Sequence, residues 1–165
     1  MTAPARRLIL MRHAKSAWKD QGLTDHERPL NARGRRDAPR IADALCALGW
    51  VPDVVVCSTA NRTRQTWARM EGAFDDEVPT LYVQAFYLAG LGAIQDAARS
   101  WEDSWGTVLC LGHNPGWEHA VSVLSGVPTS MTTANAALLE SHGESWTEAV
   151  GGPWSLVAFL QPKAL

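Results

Sequence analysis

Leu8-Ile9-Leu10-Met11 is an apolar run that breaks abruptly into Arg12-His13-Ala14-Lys15-Ser16. An imidazole is both a nucleophile and a proton carrier near neutral pH. A guanidinium grips anionic oxygens through a planar fork that stays charged. A second run, Thr107-Val108-Leu109-Cys110-Leu111, ends in the same manner in Gly112-His113-Asn114-Pro115-Gly116. A third, Asp53-Val54-Val55-Val56-Cys57, is followed by Ser58, Arg62 and Arg64. In open α/β sheets ligands bind in the crevice beyond the carboxyl ends of the strands. Three runs that end in cations and imidazoles therefore suggest one composite site for a phosphate. Phosphoryl transfer needs charge stabilisation on the equatorial oxygens and an in-line nucleophile, and little else from the protein.

The elements that must position these groups follow from periodicity. Residues 7–11, 53–57 and 107–111 read as strands buried on both faces, and 79–83 as a weaker one. Residues 136–140 and 154–160 read as closing strands, with the Gly- and Ser-rich stretch 141–153 as their connecting turn. Ile41, Leu45 and Leu48 are spaced for one buried face of a helix between 31 and 48, stopped by Gly49. Pro39 either kinks that helix or lies in the first turn of one capped by Asp37. Further helices are expected over 61–72, 91–101 and 115–124. Those after Ser58 and His113 would aim backbone N–H groups at the crevice. Residues 15–29 have loop composition. The alternation predicts an α/β fold, a three-layer α/β/α sandwich whose central sheet is mixed and mostly parallel.

The chain of 165 residues is long enough for one domain spanning 1–165 with a single core. Its formal net charge of -2 argues against general binding to nucleic acid or to an anionic membrane. No apolar run approaches the roughly 18 residues of a membrane span, and the start lacks the pattern of a signal peptide. Cys46, Cys57 and Cys110 match no metal or redox spacing, so a reducing cytoplasm is the simplest setting, with no metal and no cofactor expected. Trp67 and Trp154 fall in patterned segments and belong to the core. Trp18, Trp117 and Trp146 lie near the loops of interest, with burial the default for each. His119 reads as a surface or core residue. Arg33, Arg35, Arg36 and Arg40 form a basic cluster that could dock an acidic partner, although a solvated helix face is the simpler reading.

Arg12-His13 after a strand, Ser58 and Arg62 in Ser-x-x-x-Arg-x-x-Gln-Thr, and Gly112-His113-Asn114-Pro115 together resemble the histidine phosphatase superfamily. The run Arg-His-Ala-Lys-Ser and the later Arg28-Pro29-Leu30-Asn31-x-x-Gly34 resemble its small SixA-like phosphohistidine phosphatase branch. The likeness spans Leu8 to Phe159 with the motifs in family order. It implies a phosphoglycerate mutase-like fold and a covalent phosphohistidine formed on His13. Arg12 and Arg62 would clamp the phosphoryl oxygens, and His113 would add a further donor. Ser16, Arg28 and Asn114 would bind at the periphery, and Arg64, off the helix face of Arg62, would lie at the surface.

Departures from the family pattern carry information. Ala14 stands where the superfamily has glycine, and Thr59 where many relatives have proline. The stretch Val83–Gly90, where other branches carry an acidic proton donor, has no carboxylate, and Gln84 cannot replace one. An alcohol leaving group needs a proton, whereas an N–P bond is already labile. The resemblance therefore implies hydrolysis of phosphohistidine on a protein, or of another phosphoramidate. Asp20, Asp25 or Glu118 could still supply a proton to a small phosphorylated molecule, making the protein a phosphomonoesterase. A non-catalytic phosphate-binding or partner-docking module is the remaining alternative. Activity should fall as pH drops through the histidine range, because a protonated imidazole cannot attack.

Overall fold

The computed structural model describes residues 5–18 and 22–165. The apolar runs form the middle of a six-stranded sheet: β1 (Arg6–Arg12), β2 (Val54–Ser58), β3 (Thr80–Val83), β4 (Thr107–Gly112), β5 (Ala136–Ser141) and β6 (Ser155–Leu160), in spatial order β3-β2-β4-β1-β5-β6. β3, β2, β4 and β1 are mutually parallel, β5 runs antiparallel to β1, and β6 antiparallel to β5. The sheet is thus mixed and mostly parallel, as the sequence implies.

Each central strand feeds two cores because its side chains alternate between faces. Leu8, Leu10, Val54, Val56, Val108 and Cys110 pack on one side with Ile94, Trp117, Val121 and Trp146. Ile9, Met11, Val55, Cys57, Leu109 and Leu111 pack on the other with Ile41, Leu45, Trp67 and Met70. Burying one such side chain contributes about 1.5–3 kcal/mol. β1, with four apolar residues fully buried, is therefore anchored far more firmly than edge strand β3, whose residues are all partly or fully exposed.

The second core is covered by α1 (Ala32–Ala47) and α2 (Asn61–Met70). The first is covered by α3 (Leu91–Ala98), α4 (Gly116–Ser125) and the short α5 (Trp146–Ala149). Asn31, not Asp37, caps α1: its backbone is extended and its side chain accepts the Gly34 N–H. Pro39 lies inside the helix, which continues through it because Ala38, Ile41, Ala42 and Leu45 form a buried stripe. Gly49, with φ of +75°, reverses the chain after α1. The turn expected over 141–153 contains α5, capped by the Ser145 side chain on Glu148 N–H. Trp146 and Trp117 are fully buried, so neither lines a cleft. Among the described residues no helix is long and apolar enough to cross a membrane.

Candidate active site

In the register of β1 against β4, Arg12 pairs with Gly112. His13 and His113 therefore leave adjacent parallel strands at the same level, and their ring centroids lie 5.4 Å apart. β2 ends beside them at Ser58, and the first turn of α2 then delivers Arg62. The N-terminal ends of α2 and α4 both lie just beyond these strand ends, where the helix macrodipole favours an anion.

His13 is only 6% exposed. Its Nδ1 lies 2.7 Å from the carbonyl oxygen of Ala14, which can only accept, so Nδ1 carries the ring proton and Nε2 a lone pair. Arg62 Nε donates to that Nε2 at 3.3 Å. Burial, reinforced by the charges of His113, Arg62 and Arg12, pushes the His13 pKa down to about 3. A His13 held neutral in this way removes the reason for expecting activity to fall through the ordinary histidine range, and moves its protonation to lower pH. The loop itself is pinned: Ala14 N–H donates to Thr66 Oγ1, which in turn donates to the Arg62 carbonyl.

His113, 1% exposed, is likewise held neutral by burial and then by Arg62, with its pKa lowered to about 3. Its Nε2 lies 2.8 Å from Ser58 Oγ, which accepts the Ala60 N–H. His113 Nδ1 has no hydrogen-bond partner among the described residues. Arg12 reaches across the cleft and donates to the Met131 carbonyl at 3.0 Å.

Arg62, 2% exposed, is aimed by Asp25, whose backbone carbonyl and carboxylate accept from Nη1 at 2.8 Å and Nη2 at 3.1 Å. The same carboxylate accepts from Arg28 Nε at 3.1 Å and from the Tyr87 hydroxyl. Burial raises the Asp25 pKa, but the bond from Tyr87 and the charges of Arg62 and Arg28 outweigh it and leave the carboxyl below its usual value. The Arg28 guanidinium stacks 3.8 Å over the Trp18 ring, and Trp18 is 73% exposed at the mouth. Leu88, in the left-handed region with φ of +52°, forms another part of the rim.

The cleft so enclosed measures about 250 Å³. Arg12, His13, Arg62, His113, Ser16, Arg28 and Asn114 all line it. Asn114 is a brace rather than a free donor, since its Nδ2 is bonded to Glu118 Oε2 and to the Met131 carbonyl. Arg64 lies outside, exposed and stacked on Tyr82, as its helix position implies. Of the three carboxylates considered as acids, Asp20 lies outside the described residues and Asp25 lines the cleft in ionised form. Glu118 accepts from Met131 N–H and from Asn114. Gln84 accepts from Thr59. Lys15, Thr133, Tyr87 and the anchoring role of Asp25 escape sequence reasoning. The only signals for Lys15 and Asp25 are membership of the Arg-His-Ala-Lys-Ser run and an acid in an aperiodic loop.

The model of the histidine phosphatase superfamily (branch 1) matches residues 8–84. An uncharacterised chloroplastic protein of Arabidopsis thaliana is 40% identical over 174 residues, covering 98% of this chain and 80% of that protein. An uncharacterised protein of Mycobacterium tuberculosis is 35% identical over 167 residues, covering 93% of this chain and all of that one. The solved structure of a "putative phosphohistidine phosphatase SixA" from Nakamurella multipartitia superposes with a TM-score of 0.84 at 29% identity, over 98% of this chain and 99% of that one. The fold is thus the phosphoglycerate mutase-like α/β fold of these neighbours, and the matches support phosphatase activity. With the motifs of β1, β2 and β4 gathered in one cleft, the chain belongs to the histidine phosphatase superfamily and, within it, stands with the SixA-type proteins.

Proposed function

We propose that the protein hydrolyses phosphohistidine on another protein through a transient phosphoryl group on His13. The observation that carries this reading is the His13 geometry: Nδ1–H is committed to the Ala14 carbonyl, while the Nε2 lone pair is unprotonated and, among the described residues, accepts only the long bond from Arg62. In the first step Nε2 attacks phosphorus, the N–P bond of the substrate breaks, and its imidazole departs with the bonding pair. A substrate ring protonated on its other nitrogen leaves as a neutral imidazole and needs no acid. In the tautomer in which the Ser58 hydroxyl donates to Nε2, Arg12, Arg62 and His113 Nδ1–H stabilise the equatorial oxygens. In the second step water attacks the phosphoryl group, the bond to Nε2 breaks, and the water proton passes to solvent as inorganic phosphate leaves. Asp25, held ionised by three donors, accepts hydrogen bonds and offers no proton to an alkoxide, which disfavours a sugar phosphate. Ser16 and Arg28 border the phosphate at the mouth, with Asn114 holding the loop beside it.

The test is mass spectrometry without acid after brief exposure to phosphoramidate. A labile phosphoryl adduct on His13, absent from His13→Ala, is expected, with turnover reduced by at least about a thousandfold. Faster turnover of an aryl phosphate than of phosphohistidine would favour the phosphomonoesterase reading. Phosphate binding without any adduct would favour a binding module.

A further inference from the structure

A second hollow of about 300 Å³ adjoins the catalytic cleft, and Thr133 lines both. Its cations are Arg33, Arg36 and Arg40 of α1 and Lys163 of the C-terminal turn, all exposed. Positions 33, 36 and 40 share one helix face. Asp37 is the single carboxylate among the lining residues, and it pairs with Arg33 at 3.5 Å. Arg35 points elsewhere, donating to the Leu30 carbonyl.

Two features set this patch apart from a solvated helix face. The first turn of α1 has no acidic residue, so Arg33 and Arg36 lie near the positive end of the helix dipole, where cations are disfavoured. That end is also pressed onto the catalytic loop. Asn31 N–H donates to the Lys15 carbonyl, and a Cβ on Gly34 would stand 2.1 Å from that same oxygen. Arg36 and Arg40, which have no ion-pair partner among the described residues, thus stand on a helix whose start packs on the catalytic loop, in a chain whose net charge is -2.

We infer that the hollow formed by Arg33, Arg36, Arg40 and Lys163 is a docking site for acidic side chains flanking the phosphohistidine of a protein substrate. The inference rests on the phosphohistidine reading above. An acidic segment crossing Thr133 would place carboxylates among the arginines while its phosphorylated ring enters the cleft. Complementary charge of this kind sets encounter and partner choice more than chemistry.

The full chain and Arg36→Glu/Arg40→Glu are compared on three probes: a peptide with one phosphohistidine among glutamates, its twin with serines in their place, and free phosphohistidine. The wild type is expected to show a KM for the acidic peptide about tenfold below that for its twin, at equal kcat and only at low salt. The double variant loses that preference and keeps its turnover of free phosphohistidine. Arg36→Gln/Arg40→Gln, which avoids buildup of negative charge, gives an intermediate KM if both variants fold. Equal KM values for the two peptides in the wild type, or an undiminished preference in the variants, would overturn the inference. A small bisphosphorylated molecule is added as a control: an effect of the double variant on it but not on the acidic peptide would also overturn the inference and make the hollow a second phosphate site. If the wild type turns over none of the three probes, the phosphohistidine reading itself falls. Fluorescence anisotropy with the unphosphorylated glutamate peptide then still decides the docking claim, through its loss or retention in the double variant.

Discussion

The two hollows on either side of Thr133 both collect arginines, and they treat them in opposite ways. In the catalytic cleft Arg62 is 2% exposed, and Asp25 and His13 occupy three of its nitrogens. In the neighbouring hollow Arg36 and Arg40 are exposed and have no ion-pair partner among the described residues. A buried guanidinium keeps one geometry, at a desolvation cost that its partners offset, and so suits a transition state. An exposed one keeps its hydration and its range, and so suits recruitment. The difference teaches that charge is divided here between chemistry and encounter, a division kinetics can separate.

Among changes that separate the two hollows, removing the buried cation is expected to have the largest effect. Arg62→Ala should lower kcat by about 10²–10³-fold, and equally for acidic, neutral and free phosphohistidine substrates in steady-state assays. A change confined to KM would erase the contrast between the hollows. Gly34→Ala should disturb both regions at once, since its Cβ collides with a backbone oxygen rather than a yielding side chain. A stability loss of about 1–3 kcal/mol in urea unfolding is expected, with kcat reduced along with it. Unchanged stability would mean that α1 is not pressed on the catalytic loop.

A further effect belongs to the cleft alone. His13 and His113 have folded pKa values of about 3, below the ordinary histidine value. The unfolded chain therefore binds protons that the folded one refuses as pH falls below about 6.5. Stability should be full above that value and decline as the pH falls towards 3. Thermal unfolding of His113→Asn should show a shallower decline between pH 6 and 4 than the wild type. Equal slopes would mean that His113 is not held neutral by burial.

The strands and the four principal site residues were legible because apolar runs and the residues ending them are local patterns. Arg62 and Thr66 stand one helical turn apart within Ser-x-x-x-Arg-x-x-Gln-Thr, so even their shared face could be read. Asp25 could not be assigned its place, because an aperiodic loop gives no direction to a side chain held by Arg62, Arg28 and Tyr87. The start of α1 stays open in the sequence for a related reason. Asn31 and Asp37 are both good caps by type, and packing on Lys15 selects the earlier one. The histidine pKa values depend on burial, which no motif records. α5 is a single turn within a Gly- and Ser-rich stretch, too short to show a period.

Trp18 gives the molecule a built-in optical gauge. Its ring stands at the cleft mouth under the Arg28 guanidinium, while Trp67, Trp117 and Trp146 are sealed in the cores. A neutral collisional quencher such as acrylamide meets Trp18 long before those indoles. A ligand that draws Arg28 away from the ring alters both its emission and its quenching, so occupancy can be followed by fluorescence without a label.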